Sequence, residues 1–193
     1  MVNIHVAIQM IKKYIVVIGC FCVVIFVIIV FARLYPVAMV NGSPIWYRTW
    51  DRYVKGNIHA LVVQAQSAGT EFSPDARMIS AIKKNALQTL IEDNILAQAG
   101  SVLVQKFDVI SNQRIDNALA VSADIGKAAF FMYGFTAADF HDFVLLPQSH
   151  REVIIEEFDK KKINFEAWFA GIKKKAHIRL MLHSYTWDGD TIR

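Results

Sequence analysis

His141, Asp142 and His150 are the side chains that most invite a chemical reading, as a metal site or an acid–base pair. Their spacing argues against both. Adjacent residues such as His141 and Asp142 point about 100° apart on a helix. His141 and His150 are too far apart in sequence to share one chelating face. These histidines, with His177 and His183, therefore read as surface residues. Asp188 and Asp190 flank Gly189, but a calcium loop needs several more oxygen ligands. Ser, His and Asp are all present without a nucleophile elbow around any serine, and no glycine-rich loop could cradle a phosphate. The expectation is no catalytic residue, no metal, no cofactor, no small-molecule substrate, and hence no enzyme.

Aromatic residues carry more information. Phe130, Phe131, Met132, Phe135, Phe140, Phe143, Trp168 and Phe169 crowd the C-terminal half. Core packing accounts for many of them, but a small helical domain cannot easily hide them all. Exposed apolar patches rimmed by charge mark binding sites, and a methionine adapts to varied partners. These eight residues are the candidate peptide-binding set. Within it Phe130, Phe131, Met132 and Phe135 are expected to be the most exposed, because they fall in a short connecting element.

What must position them is mainly helical. Residues 46–66 read as a helix with Trp50, Tyr53, Val54 and Leu61 available for one face. Ser73-Pro74-Asp75 marks the next start, with Ser73 at the N-cap and Pro74 at the first helical position. Ile79, Ile82, Ala86, Leu87, Leu90, Ile91 and Ile95 then recur at spacings of three and four, to about Gln105. Ser111 is expected to cap a further helix turned inward at Ile115, Leu119 and Val121. Residues 128–133 form a short apolar helix ended by Gly134. Thr136 and Asp139 spell a capping box. The helix it opens carries Phe140, Phe143, Val144, Pro147, Arg151, Ile154, Ile155 and Phe158 on one stripe, kinked at Pro147. Asn164 caps a last helix with Phe165, Trp168, Phe169 and Ile172. Residues 37–40 and 178–182 read as short strands, marginal alone, and pairing them would bring the domain's two ends together. Asn41-Gly42 is a strong turn signal and Ser43-Pro44 favours extended backbone.

Residues 14–32 stand apart. They read YIVVIGCFCVVIFVIIVFA, without a charge, amide or proline, between Lys12-Lys13 and Arg33. At about 1.5 Å per residue such a helix approaches the roughly 30 Å of a bilayer core. The run exceeds the roughly 7–15 residues of a signal sequence and lacks a good cleavage site after it, so it reads as an uncleaved anchor. Basic residues on the short N-terminal side favour keeping that side in the cytoplasm. Both cysteines, Cys20 and Cys22, lie in this run, two positions apart, and cannot bridge each other. The formal charge of +4 includes Lys12 and Lys13, which leaves the rest near balance and argues against a nucleic-acid footprint. Lys160–Lys162 and Lys173–Lys175 read as solvated helix ends.

Residues 37–45, Val-Ala-Met-Val-Asn-Gly-Ser-Pro-Ile, followed by Trp50-Asp51-Arg52-Tyr53, resemble the opening of the SurA-like chaperone domain that accompanies parvulin-type prolyl isomerases of the bacterial envelope. Residues 90–96 are similar to that family's LI-(D/E)-x-x-L helix and 110–116 to its V-S/T-x-x-x-V-D helix start. Residues 133–140 are similar to its YGLT-x-x-x-F element. The resemblance covers roughly 37–182. Residues 176–182 are faintly similar to a first parvulin strand, but the Gly-Gly stretch and second histidine region are missing, so isomerase activity does not carry over. The resemblance implies a cytoplasmic (residues 1–13), anchor (14–34), SurA-like helical chaperone (37–183) and tail (184–193) organisation, single-pass in the bacterial inner membrane with the domain outside the cytoplasm. The implied function is a holdase for unfolded or nascent exported polypeptides. The rival is an adaptor for one specific membrane or envelope protein.

Overall fold

Asn41 and Gly42 both adopt positive φ, 50° and 88°, as a two-residue hairpin turn that matches strand twist requires. The turn folds β1 (Pro36–Val40) back on β2 (Ser43–Trp46), with Val40 opposite Ser43. On the other side of β1 lies β3 (Ile178–Leu180), antiparallel, with Ala38 opposite Leu180 and Val40 opposite Ile178. The expected closure between the two ends thus forms, but the sheet has three strands in the order β2-β1-β3, not two. Pro44 is tolerated because β2 is an edge strand and no neighbour needs its missing N–H. Asn41 ties the turn to the rest. It exchanges hydrogen bonds with His177, N–H to carbonyl at 2.9 Å and His177 N–H to Asn41 Oδ1 at 2.8 Å. Its Nδ2 donates to Gln98 Oε1 at 2.9 Å, and Gln98 Nε2 donates to the Val40 carbonyl at 3.0 Å.

This computed structural model describes residues 34–121 and 124–193, together with Ile18 and Phe21. The N-terminal segment 1–13 and the span expected over 14–32 otherwise lie outside the described residues. Among the described residues no helix is long and apolar enough to cross a membrane.

The described fold is mainly helical. Helix α1 (Tyr47–Ser67) follows β2 and buries Trp50 and Val54, with the Trp50 indole donating to the Lys83 carbonyl at 3.0 Å. Helix α2 (Ala76–Leu103) is the longest, and its buried residues include Ala86, Leu87, Ile91 and Ile95 from the expected stripe. It starts two residues later than the Ser-Pro pair suggests. Asp75 is the N-cap, accepting from Met78 N–H at 2.7 Å, because its carboxylate outcompetes Ser73 for the first free amides. Helix α3 (Phe107–Val121), by contrast, begins before Ser111, which is buried inside it rather than capping it. Leu119 and Val121 point to solvent, contrary to expectation, and only Ile115 of that trio is buried.

Helix α4 (Ile125–Tyr133) ends at Gly134, left-handed at φ 65°. Helix α5 (Ala137–Phe140) carries the expected capping box in full, Thr136 and Asp139 each bonding the other's backbone N–H. A five-residue π-helical segment (His141–Leu145) follows, with the Leu146 N–H reaching back to the His141 carbonyl, and then α6 (Leu146–Lys161). The expected kink at Pro147 is therefore resolved as a π segment, the wider turn making room for a ring that has no N–H to give. The inserted residue also rotates the face that follows. Ser149, His150 and Val153 are buried beside the expected Ile154 and Phe158, whereas Arg151 is exposed. His150 is thus a core residue, a correction to its reading as a surface histidine. Helix α7 (Phe165–Lys175) is capped by Asn164, which accepts from Ala167 N–H at 2.8 Å.

One core joins Val37, Ala38 and Val40 of β1 to Trp50, Leu87, Ile91, Ile154, Phe158 and Phe169. The segment 184–193 is anchored to it by Ile192, with Tyr185 and Trp187 packed against it. Trp187 pairs with Ile192 across a tight turn held by Asp188, and Ile192 is 1% exposed. Gln88 clamps this hairpin from α2, accepting from Ile192 N–H at 2.8 Å and donating to the Asp190 carbonyl at 2.9 Å. Lys173, expected among solvated lysines, is mostly covered and lies 2.5 Å from Asp190 and 3.3 Å from Glu92.

Candidate functional site

The eight candidate aromatics and methionine divide into three groups. Phe130 and Phe131 are 67% and 65% exposed on α4, with Met132 exposed beside them. The helix is held to α1 at its other face, where Ala129 is buried and the His59 ring lies 3.1 Å from the Phe131 carbonyl oxygen. No α4 residue belongs to the main core cluster.

Phe135 does the opposite of what its position suggested and is only 3% exposed. Its ring lies against Gly56, where even a Cβ would come closer than 3.0 Å to Cε1 and Cζ. Gly134 supplies the reason: its left-handed conformation reverses the chain and turns the next side chain under α1. There Phe135 stacks on Tyr133 and packs on Phe143, each 5.4 Å centroid to centroid, and Phe143 meets Tyr53 edge-on at 5.5 Å. Phe140 and Phe143 are half-buried in this layer. Trp168 and Phe169 form the third group with Phe158 and Phe165, Trp168 meeting Phe158 edge-on at 4.7 Å and Phe169 buried in the main core. Of the eight, Phe130, Phe131 and Met132 are therefore the ones left on the surface.

A second feature lies outside the aromatic set. A cleft of about 580 Å³ opens between α1, α2 and the rod formed by α5, the π segment and α6. Arg48 and Arg52 reach it from α1, Asp93 and Asn94 from α2, and Asp139, Asp142 and His150 from the rod. Arg52 pairs with Asp139. Burial works to raise the Asp139 carboxyl, but hydrogen bonds from Thr136 and Arg52 outweigh it and hold the group below the usual range. Asp142 pairs with His141 at 2.9 Å. Asp93 has no such partner among the described residues. Burial first, and then the neighbouring Glu92, push it up to about 7 against the pull of Arg151. Burial also pushes His150 below the usual imidazole range, against the Asp108 carboxylate 3.8 Å away. Its Nε2 lacks a hydrogen-bond partner among the described residues, and its ring stacks on Phe107 at 4.6 Å.

Two sequence signals could have exposed the cleft: an acid set between Ile91 and Ile95 on the inward side of α2, and a proline inside a helical stripe. Among the described residues no three His, Cys, Asp or Glu side chains stand close enough to share a metal ion. No protein-family model, curated protein or solved structure matches the chain.

Proposed function

We propose that the chain is a SurA-like, membrane-anchored holdase that binds unfolded or partly folded polypeptides at the exposed face of α4, without isomerase activity. One observation supports this above others: Phe130 and Phe131 stand side by side in solvent on a helix whose own anchoring residue is Ala129. Fully covering a phenylalanine is worth about 1.5–3 kcal/mol, and each ring here has about two thirds of its surface still to bury. Contact of that kind is non-directional and accepts any apolar segment, and Met132 adds an adaptable side chain. The resemblance of residues 37–182 to the SurA-like module and the apolar run at 14–32 point the same way.

The test uses the full chain in lipid nanodiscs, added to two unrelated aggregating clients and followed by light scattering, with empty discs as control. Suppression of both clients at near-stoichiometric ratios is expected. A Phe130→Ser, Phe131→Ser double variant should lose most of it while keeping its Tm, since neither ring supports the core. Failure against both clients would overturn the reading and leave an adaptor for one specific partner. Equal suppression by wild type and variant would move the surface elsewhere.

A further inference from the structure

The cleft between α1, α2 and the α5–α6 rod stands independently of the α4 surface. We propose that it is a binding site for a small zwitterion of amino-acid to dipeptide size, with the ammonium group on Asp93 and the carboxylate on Arg48.

Size and shape are the first ground. About 580 Å³ falls within the roughly 300–1,000 Å³ of small-molecule pockets, which combine apolar walls with a few convergent polar groups. Leu90, Phe143 and Leu146 supply such walls.

Charge accounting is the second. Two guanidinium groups and three carboxylates reach the cleft. Arg52 is committed to Asp139, whereas Asp142, mostly in solvent, hydrogen-bonds the His141 ring and keeps its negative charge at the rim of the cleft. Arg48 and Asp93 are the two of opposite sign with no ion-pair or hydrogen-bond partner among the described residues. An unpaired, half-buried carboxylate is costly, and an arriving ammonium offsets that cost. Arg48 lies one helical turn before Arg52, on the same face of α1. With Arg52 held by Asp139, Arg48 is the guanidinium left at the mouth for a planar carboxylate. Asn94 adds a donor: its Oδ1 is taken by Gln98 Nε2 at 2.8 Å, which leaves the Nδ2 hydrogens for a ligand carbonyl. A plain anion would meet the surplus of carboxylates, and a plain cation would meet Arg48. A molecule with both charges answers both.

The π segment is the third. It supplies Asp142 and Phe143 to the cleft wall, and single π turns recur at functional sites because they re-aim side chains.

Calorimetric titration of the detergent-solubilised full chain with alanyl-phenylalanine, its N-acetyl form and its C-terminal amide tests this. The free dipeptide should bind with a Kd near or below about 1 mM. Each blocked form should bind at least roughly tenfold more weakly, because each lacks one charged end. Asp93→Asn should abolish the discrimination against the N-acetyl form, and Arg48→Gln that against the amide. Both variants should fold, since Arg48 is exposed and Asp93→Asn removes an unpaired charge; an unchanged or higher Tm checks this. Absence of saturable binding by the free dipeptide, or equal binding of all three forms, would overturn the proposal.

Discussion

Gly56→Ala is the perturbation whose sign depends most directly on the packing of α1. In the interior of an exposed helix, replacing glycine by alanine gains about 1 kcal/mol, because glycine has more backbone freedom to lose. At Gly56 the added methyl would come closer than 3.0 Å to two Phe135 ring carbons, whereas carbon atoms prefer about 3.5–4.0 Å. The ring has little room to yield, since Tyr133 stacks on one side and Phe143 packs on another, both at 5.4 Å. Overpacking costs about 1–3 kcal/mol, and an overlap this deep belongs at the upper end. Net of the helix gain, destabilisation of about 2 kcal/mol remains, or a Tm lowered by roughly 4–8 °C for a domain of this size. Gly171→Ala in α7 is the internal control. Nothing lies within 4 Å of its added Cβ, so the ordinary gain should appear and Tm should rise by roughly 2–4 °C. Circular dichroism melts of the full chain and both variants measure this. Adding Phe135→Leu to Gly56→Ala should recover part of the loss, as expected for residues in contact. A Gly56→Ala protein at least as stable as wild type would refute the close packing of α4–α5 on α1.

Two further outcomes follow from the core and the cleft. Asp93 is raised to about 7 in the folded protein, from 3.8 in the unfolded chain. Between about pH 4 and 7 the folded state therefore keeps a proton that the unfolded state has released, and stability falls as pH rises through that window. Asp93→Asn should flatten this slope, with its Tm advantage over wild type growing towards pH 7 and then levelling off; parallel pH profiles would contradict the raised carboxyl. Ile192→Ala should cost about 2–5 kcal/mol and lower Tm by roughly 5–15 °C, because the side chain is deep in the core. A change within error would mean that the terminal hairpin is merely a tail.

Local chemistry was legible where one residue decides the outcome. The Asn41-Gly42 turn, the Gly134 stop, the Thr136–Asp139 box and the Asn164 cap are each set by side chain and backbone within a few residues. Competition defeated the reading elsewhere. Ser73 was expected to cap α2 but Asp75 does so, and Ser111 resembled a cap while being buried within α3. The π segment is a tertiary accommodation of Pro147, and the period of 3.6 carried through it misplaced His150. Phe135 was misjudged because nothing in its neighbours announces that Gly56, far away in sequence, leaves a gap for its ring. The three exposed residues of α4 were recognisable as a group, whereas the cleft depends on bringing Asp93 together with α1 and with the α5–α6 rod, both distant from it in sequence.

The position of β1 at the centre of the sheet has a consequence for biosynthesis. Its partner on one side, β2, emerges from the ribosome at once, but the other side is completed by a segment 136 residues later, as the His177–Asn41 bond shows. At roughly 5–20 residues per second that edge stays open for about 7–30 s. During this interval Val37, Ala38 and Val40, all 0% exposed in the finished fold, have an unpaired strand edge and no completed core to cover them. The nascent domain must therefore pass through its own aggregation-prone stage before it closes.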